Sequence, residues 1–311
     1  MISFREQLKK IGEPIQGQAV PAFPSGFYTA PKSLRAAMKA MDSPCPETWS
    51  IPSEGQFFNH DWTEECQGVT HDDSYWYISS NHEGKQRVYR FSLANNVEGY
   101  VKLAGNGSGH LGDIDYYQDR IYCAMENPVK ILIIDTPPFS GWWSAELTGE
   151  SGGERPQTTS CPWCAVNPWN GLLYSSNFGD GSGEDTLYAY RFDSTNGYFV
   201  HLPSADIVLQ EKVRRIQGAV FSKNGHVLLA SDHTNDIRCY STLNGYYLGR
   251  TSIQKDDSWN VAQEIEGLTI WEDVSYNGVQ THVHVVLLDN DKPDDDDVYF
   301  KHYRVPLAEY L

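Results

Sequence analysis

The chain has 311 residues, 40% apolar and 13% aromatic, enough to fill a sizeable core and too many for a globally disordered polymer. Against 24 Lys and Arg stand 41 Asp and Glu, a net charge of −17. With no basic stripe, that charge repels phosphate backbones and anionic lipid and argues against nucleic-acid or membrane-surface roles.

No run of about 18 apolar residues is present to span a bilayer. The opening residues Met1–Lys10 lack the apolar core of a secretory signal. The expected location is therefore cytoplasmic, or secreted if a leader was removed ahead of this sequence.

Seven prolines (14, 21, 24, 31, 44, 46 and 52) punctuate the N-terminal stretch and disfavour a sheet there, since proline removes ladder donors. Residues 1–46 read as an arm with short helices. One of these spans Pro31–Met41, with Leu34, Met38 and Met41 on one face. Residues 47–311 read as a single β domain, and Glu47–Ile51 is the candidate strand that completes its last sheet.

From Cys66 onward a short Gly- or Ala-centred strand recurs at a period of roughly 45–55 residues, the signature of a solenoid, propeller or array. The copies are Cys66–Val69, His110–Asp113, Trp163–Val166, Ile216–Ala219 and Ile265–Leu268. Each is followed by a second strand ending in an Asn, Asp or Glu cluster, near Asn81, Asn127, Asn177, Asp232 and Asn290. Third strands follow at Val88–Phe91, Ile131–Ile134, Leu187–Tyr190, Ile237–Tyr240 and Tyr299–His302. Short alternating runs rich in Tyr, Val and Ile between Asp/Gly/Asn turns define them. The pattern predicts an all-β fold, a β-propeller of five four-stranded blades, with six as the alternative.

In such a fold the starts of the first strands and the ends of the second converge at one mouth of the axis. This gathers Glu65, Gln67, His110, Trp163, Arg215, Gln217, Glu264 and Glu266, with Trp62 and Trp259 in the loops leading in. An aromatic-walled funnel with a few convergent polar groups is a default binding site for a small molecule. Glu264 and Glu266 lie two residues apart on one strand face. Repulsion and desolvation there would raise one carboxyl toward neutral pH, as general acid/base work needs. Arg215 would stabilise a developing anion. The bland alternative leaves Glu264 in solvent and Glu266 bonded to a neighbouring blade.

The oxygens of Asn81, Asn127, Asn177 and Asp232 would suit Ca²⁺ in the central channel; equally, they are ordinary turn residues bonding their own backbone. The acidic loops Asp180–Asp185 and Asp289–Asp297 fit no EF-hand pattern. His282 and His284 share a strand face, with His302 expected on the next strand, and read as a packed or exposed histidine pair rather than a zinc site. Cys161-Pro162-Trp163-Cys164 resembles a redox pair but opens a strand, where such chemistry wants a helix start. No phosphate loop or nucleophile elbow occurs, and no organic cofactor is expected.

Cys66-Gln67-Gly68-Val69, with Tyr75–Ser80, Val88–Phe91 and Glu266-Gly267-Leu268-Thr269, resembles the strands of the propeller-type glutamine cyclotransferases. In that family the Glu-Gly-Leu-Thr strand comes second, whereas here it comes last. The resemblance implies five blades, Gln67 and Glu266 facing the channel, Glu266 as acid/base, and Trp163 or Trp259 at the substrate. The expected function is an enzyme of cyclase, lyase or hydrolase type acting on a small organic substrate, as a monomer or small homo-oligomer. The alternative is a non-catalytic glycan- or peptide-binding propeller.

Overall fold

The structure, a computed structural model, describes residues 63–81, 85–94, 96–103, 109–253, 263–276, 279–289 and 296–303. The expected N-terminal arm, the helix at 31–41 and the closing strand at 47–51 lie outside these residues, as do Trp62, Trp259 and Asn290.

The fold is an all-β propeller built from successive antiparallel sheets. Strands β1 (Cys66–His71), β2 (Tyr75–Ser80), β3 (Arg87–Ser92) and β4 (Val97–Lys102) form the first, in sequence order. The second holds β5 (His110–Tyr116), β6 (Arg120–Glu126), β7 (Lys130–Asp135) and β8 (Trp143–Thr148). The third holds β9 (Ala165–Val166), β10 (Leu173–Ser175), β11 (Glu184–Asp193), β12 (Tyr198–His201) and β13 (Ile207–Val213). The fourth comprises β14 (Ile216–Phe221), β15 (His226–Ser231), β16 (Asp236–Ser241) and β17 (Tyr247–Ser252). In the last, β18 (Gln263–Tyr276), β19 (Val279–Asp289) and β20 (Val298–Tyr303) are described.

The third sheet departs from a simple four-strand repeat. Its outer strand is broken by a 3₁₀ turn at Pro203–Ala205, so β12 and β13 pair with successive halves of β11. In addition β12 pairs in parallel with β8, Phe199 opposite Leu147, which joins the second and third sheets along their outer edges. This covers two edges that would otherwise template pairing with another chain.

Many of these strands read as continuous apolar runs, such as Ile131–Ile134, because neighbouring sheets bury both of their faces. Five apolar clusters fill the seams. One joins β2–β4 to the second sheet through Tyr77, Leu111 and Ile134. Others join the second to the third, the third to the fourth, and the fourth to the last. The final cluster brings Trp76 and Phe91 of the first sheet against Trp271, Val286 and Phe300 of the last. The innermost strands β1, β5, β9, β14 and β18 touch in the same cycle.

Hydrogen bonds tighten the last-to-first seam, where Glu65 N–H donates to Asp296 Oδ2 at 3.0 Å. His284 Nδ1 lies 2.6 Å from His302 Nδ1 and its Nε2 lies 3.1 Å from the Trp271 carbonyl. Since that carbonyl only accepts, His284 carries its proton on Nε2 and His302 donates to it. Burial drives the His284 pKa down to about 3, so the pair is neutral and structural.

At the axis the inner strands approach more closely than side chains allow. A Cβ on Gly267 would lie 2.2 Å from Asp113 Oδ1 and 2.5 Å from Gly68 Cα, and one on Gly112 only 1.9 Å from the Pro162 carbonyl oxygen. Asp113 is wholly buried there, its Oδ1 accepting the Val69 and Ile114 N–H groups and its Oδ2 that of Ala219. The axis at this level is therefore filled by a carboxyl group rather than left as an open channel. Burial raises the Asp113 pKa, and the three N–H donors oppose the rise.

Overpacking a well-filled site costs about 1–3 kcal/mol. Gly218→Ala and Gly267→Ala are expected to lose at least that much in urea denaturation. Gly153→Ala, whose new methyl would sit 3.4 Å from its nearest neighbour at φ −74°, should be close to neutral. Equal losses at all three positions would refute the axial packing described here.

Candidate active site

Four of the inner hairpins share one defect. The register of β1 on β2 slips between Cys66 and Gly68, and that of β14 on β15 between Ile216 and Gly218. Equivalent slips occur between Leu111 and Ile114 and between Ile265 and Leu268. Each is a β-bulge, which adds a residue to one strand and re-aims a side chain. Gln67, Gln217 and Glu266 stand within these bulges, and all three point into one cavity.

That cavity measures about 220 Å³ and is lined by six of the residues expected from the sequence: Glu65, Gln67, His110, Gln217, Glu264 and Glu266. Gly112, Glu126, Ser160, Pro162 and Phe178 complete its wall. Gln217 Nε2 donates to Glu266 Oε1 at 3.4 Å, while His110 Nε2 donates to Gln67 Oε1 at 3.0 Å. Glu126 lies opposite His110 in the β5–β6 ladder. The wall at residues 160–162 is set by Gln157, a buried side chain that donates to the Ser160 and Ser176 carbonyls and accepts from Tyr190. Ser160 Oγ in turn accepts the Phe178 N–H at 2.7 Å.

The electrostatics are one-sided. Glu266 is 1% exposed, and its Oε2 has no hydrogen-bond partner among the described residues. Burial, then the charges of Glu264, Asp232 and Glu65, push its pKa well above the ordinary carboxyl value. Glu126 is raised as well, mainly by burial, with His110 pulling the other way. A carboxyl held protonated in this way can donate a proton near neutral pH.

The remaining expected residues sit elsewhere. Trp163 is wholly buried and its Nε1 donates to Ser176 Oγ, so it supports the wall from the core without touching the cavity. Arg215 lies outside the lining, ion-paired with Asp180 at 3.3 Å and with Asp232 at 3.5 Å.

The four oxygen-bearing residues read as a calcium cradle are each engaged or displaced. Asn81 clamps the first sheet to the second, with both amide atoms on the Leu111 backbone. Asn127 is an exposed turn residue, Asn177 accepts from Thr159, and Asp232 holds Arg215. Among the described residues no group of three or more His, Cys, Asp or Glu is placed to hold a metal ion.

The Ser–Asn/Asp ends of the second strands have a structural use that explains their recurrence. Ser80 Oγ donates to the Glu64 carbonyl and Ser231 Oγ to that of Arg214, while the Asn81 and Asp232 N–H groups bond the Glu65 and Arg215 carbonyls. Glu65 and Arg215 themselves take left-handed backbone, at φ 50° and 48°. The cysteines of the Cys161–Cys164 motif are free and buried, and burial raises the Cys161 thiol to about 12, against redox chemistry.

Fold and cavity together define a β-propeller with an acidic pocket at its axis. No family model matches the chain, and no curated protein matches it. Among solved structures it is similar to the glutaminyl cyclase of Myxococcus xanthus, at 15% identity and a TM-score of 0.48, over 77% of this chain and 92% of that one. It is also similar to the hydrazine synthase of Kuenenia stuttgartiensis, at 11% identity and a TM-score of 0.42, over 79% and 68% of the two chains.

Since burial and the neighbouring carboxylates raise the folded pKa of Glu266 above the ordinary glutamate value, the stability linked to this group is fully present below about pH 4.5. It is lost as pH rises through the folded value. Glu266→Gln mimics the protonated carboxyl and removes that loss. Differential scanning fluorimetry should show the variant at least as stable as the wild type, its advantage widening from about pH 5 to about pH 8. A constant deficit across that range would show that the carboxyl is needed for folding.

Proposed function

We propose that the chain is a five-bladed propeller enzyme that binds a small organic substrate in the axial cavity and acts on it by general acid/base chemistry. The cycle of contacts among five inner strands and the five apolar seams support that blade count. One observation carries the chemical reading: a fully buried carboxyl, Glu266, lines the cavity with one oxygen lacking a partner among the described residues and a second carboxyl beside it.

A structural carboxyl would have recruited donors on both oxygens, as Asp113 has. Glu266 therefore serves as the general acid, with Glu264 holding its pKa up and taking the complementary base role. The reactions within reach of such a pair are cyclisation, elimination or hydrolysis of a neutral leaving group. The open oxygen also distinguishes this reading from the glycan- or peptide-binding one, which needs no proton donor.

Mass-spectrometric screening of amino-amides, hydroxy acids and small esters should reveal conversion by the wild type. Glu266→Gln should lower kcat by about 10²- to 10⁴-fold with the fold intact. Glu264→Gln should lower it less and move the alkaline limb of the pH profile, set by the general acid, to lower pH. Undiminished turnover in Glu266→Gln would exclude the role. Stoichiometric ligand binding without turnover would favour a binding propeller.

A further inference from the structure

We infer that the axial cavity takes a compact organic cation, a molecule carrying a protonated amine or quaternary ammonium group. Four carboxyl-bearing side chains, Glu65, Glu126, Glu264 and Glu266, face the space, and no Lys or Arg stands among its described lining residues. Arg215 lies outside the lining and is paired with Asp180 and Asp232. Two of the lining's polar hydrogens are already directed at its own acceptors, Gln217 Nε2–H at Glu266 Oε1 and His110 Nε2–H at Gln67 Oε1. What remains open is the Glu266 Oε2 atom, buried and without a partner among the described residues, an acceptor for a cation once the carboxyl ionises. An anion would meet four carboxyl groups there against a single basic side chain, His110.

Size narrows the class. At about 220 Å³ the cavity falls below the roughly 300–1,000 Å³ usual for drug-sized ligands, so the cation is small. Burial and mutual repulsion keep protons on the empty site. The groups facing Glu266 are Glu264, Asp232 and Glu65, with Glu64 and Asp296 close behind at Cys66 and the His110–Glu126 pair on the other wall. An incoming cation stabilises the ionised carboxyls, so its binding releases protons and tightens as pH rises. This inference rests on the proposed reading of the cavity as the ligand site, but not on that site being catalytic.

The test is isothermal titration calorimetry on the full chain with n-butylamine, putrescine and choline, alongside n-butanol, 3,3-dimethylbutanol, butyrate and Ca²⁺. Runs in two buffers of different ionisation enthalpy count the protons. At least one ammonium compound should bind about tenfold or more tightly than its neutral isostere, with proton release. Glu266→Gln and, from the opposite wall, Glu126→Gln should each weaken it about tenfold while near-UV circular dichroism stays native.

Equal binding of the isostere or of butyrate, proton uptake, stoichiometric Ca²⁺ binding that displaces the amines, or no ammonium binding at all would each overturn the inference. Ammonium binding without turnover would sustain it and sink the catalytic reading. Turnover of neutral substrates without ammonium preference would do the reverse.

Discussion

The rest of the molecule is arranged around one buried carboxyl. Asp113 projects into the axis from the second sheet and accepts backbone N–H groups from the first and fourth sheets as well as from its own strand. Hydrogen bonds of this kind contribute roughly 0.5–1.5 kcal/mol net each, more where the acceptor is charged. Their geometric consequence matters more than their sum. To leave room for this side chain, the inner strands must pass it at distances that exclude Cβ atoms, and hence carry Gly68 and Gly218 on two of the bonded strands and Gly267 on β18 beside them. The recurrent glycines and the single aspartate are two halves of one constraint.

That constraint explains which features the sequence reveals. The glycine period is legible, and with it the inner strands, because close approach must be satisfied in nearly every copy. Gln67, Gln217 and Glu266 also stand out, since they occupy matched positions one residue before a glycine. Their aim into the cavity was harder to derive, because it depends on bulges that no local residue pattern announces. Asp113 itself carries a signal that is easily passed over: it occupies the position filled by Val69, Ala219 and Leu268 in the equivalent strands. A charged residue substituting for an apolar one in a repeat marks a place where the repeats meet.

The expected residues that the structure places outside the cavity share a physical reason. Asn81, Asn177 and Asp232 have the oxygen chemistry of metal ligands, but their neighbours in space offer backbone N–H groups, a hydroxyl and a guanidinium that occupy those oxygens first. Composition shows what a side chain can do and not which partner is nearer. Trp163 is an equivalent case: its position in the repeat points to the axis, yet Ser176 holds its ring in the core. The fused outer edges of β8 and β12 have no sequence mark, because parallel pairing of two residues asks nothing special of either.

The cavity exists because the repeat is imperfect. In the third sheet the inner strand shrinks to Ala165–Val166, and the segment before it becomes a turn braced by Gln157. A regular strand there would bring its own bulged side chain to the axis and fill the space now walled by Ser160, Pro162 and Phe178. The same irregularity lets acidic groups collect without a balancing cation, a state that burial makes unfavourable for each ionised carboxyl. Such an arrangement persists only where the surrounding packing is secure, and here the apolar seams and the Asp113 contacts supply that security. A fold this redundant in its seams can hold a locally unfavourable site at its centre, and the one sheet that breaks the pattern determines where that site opens.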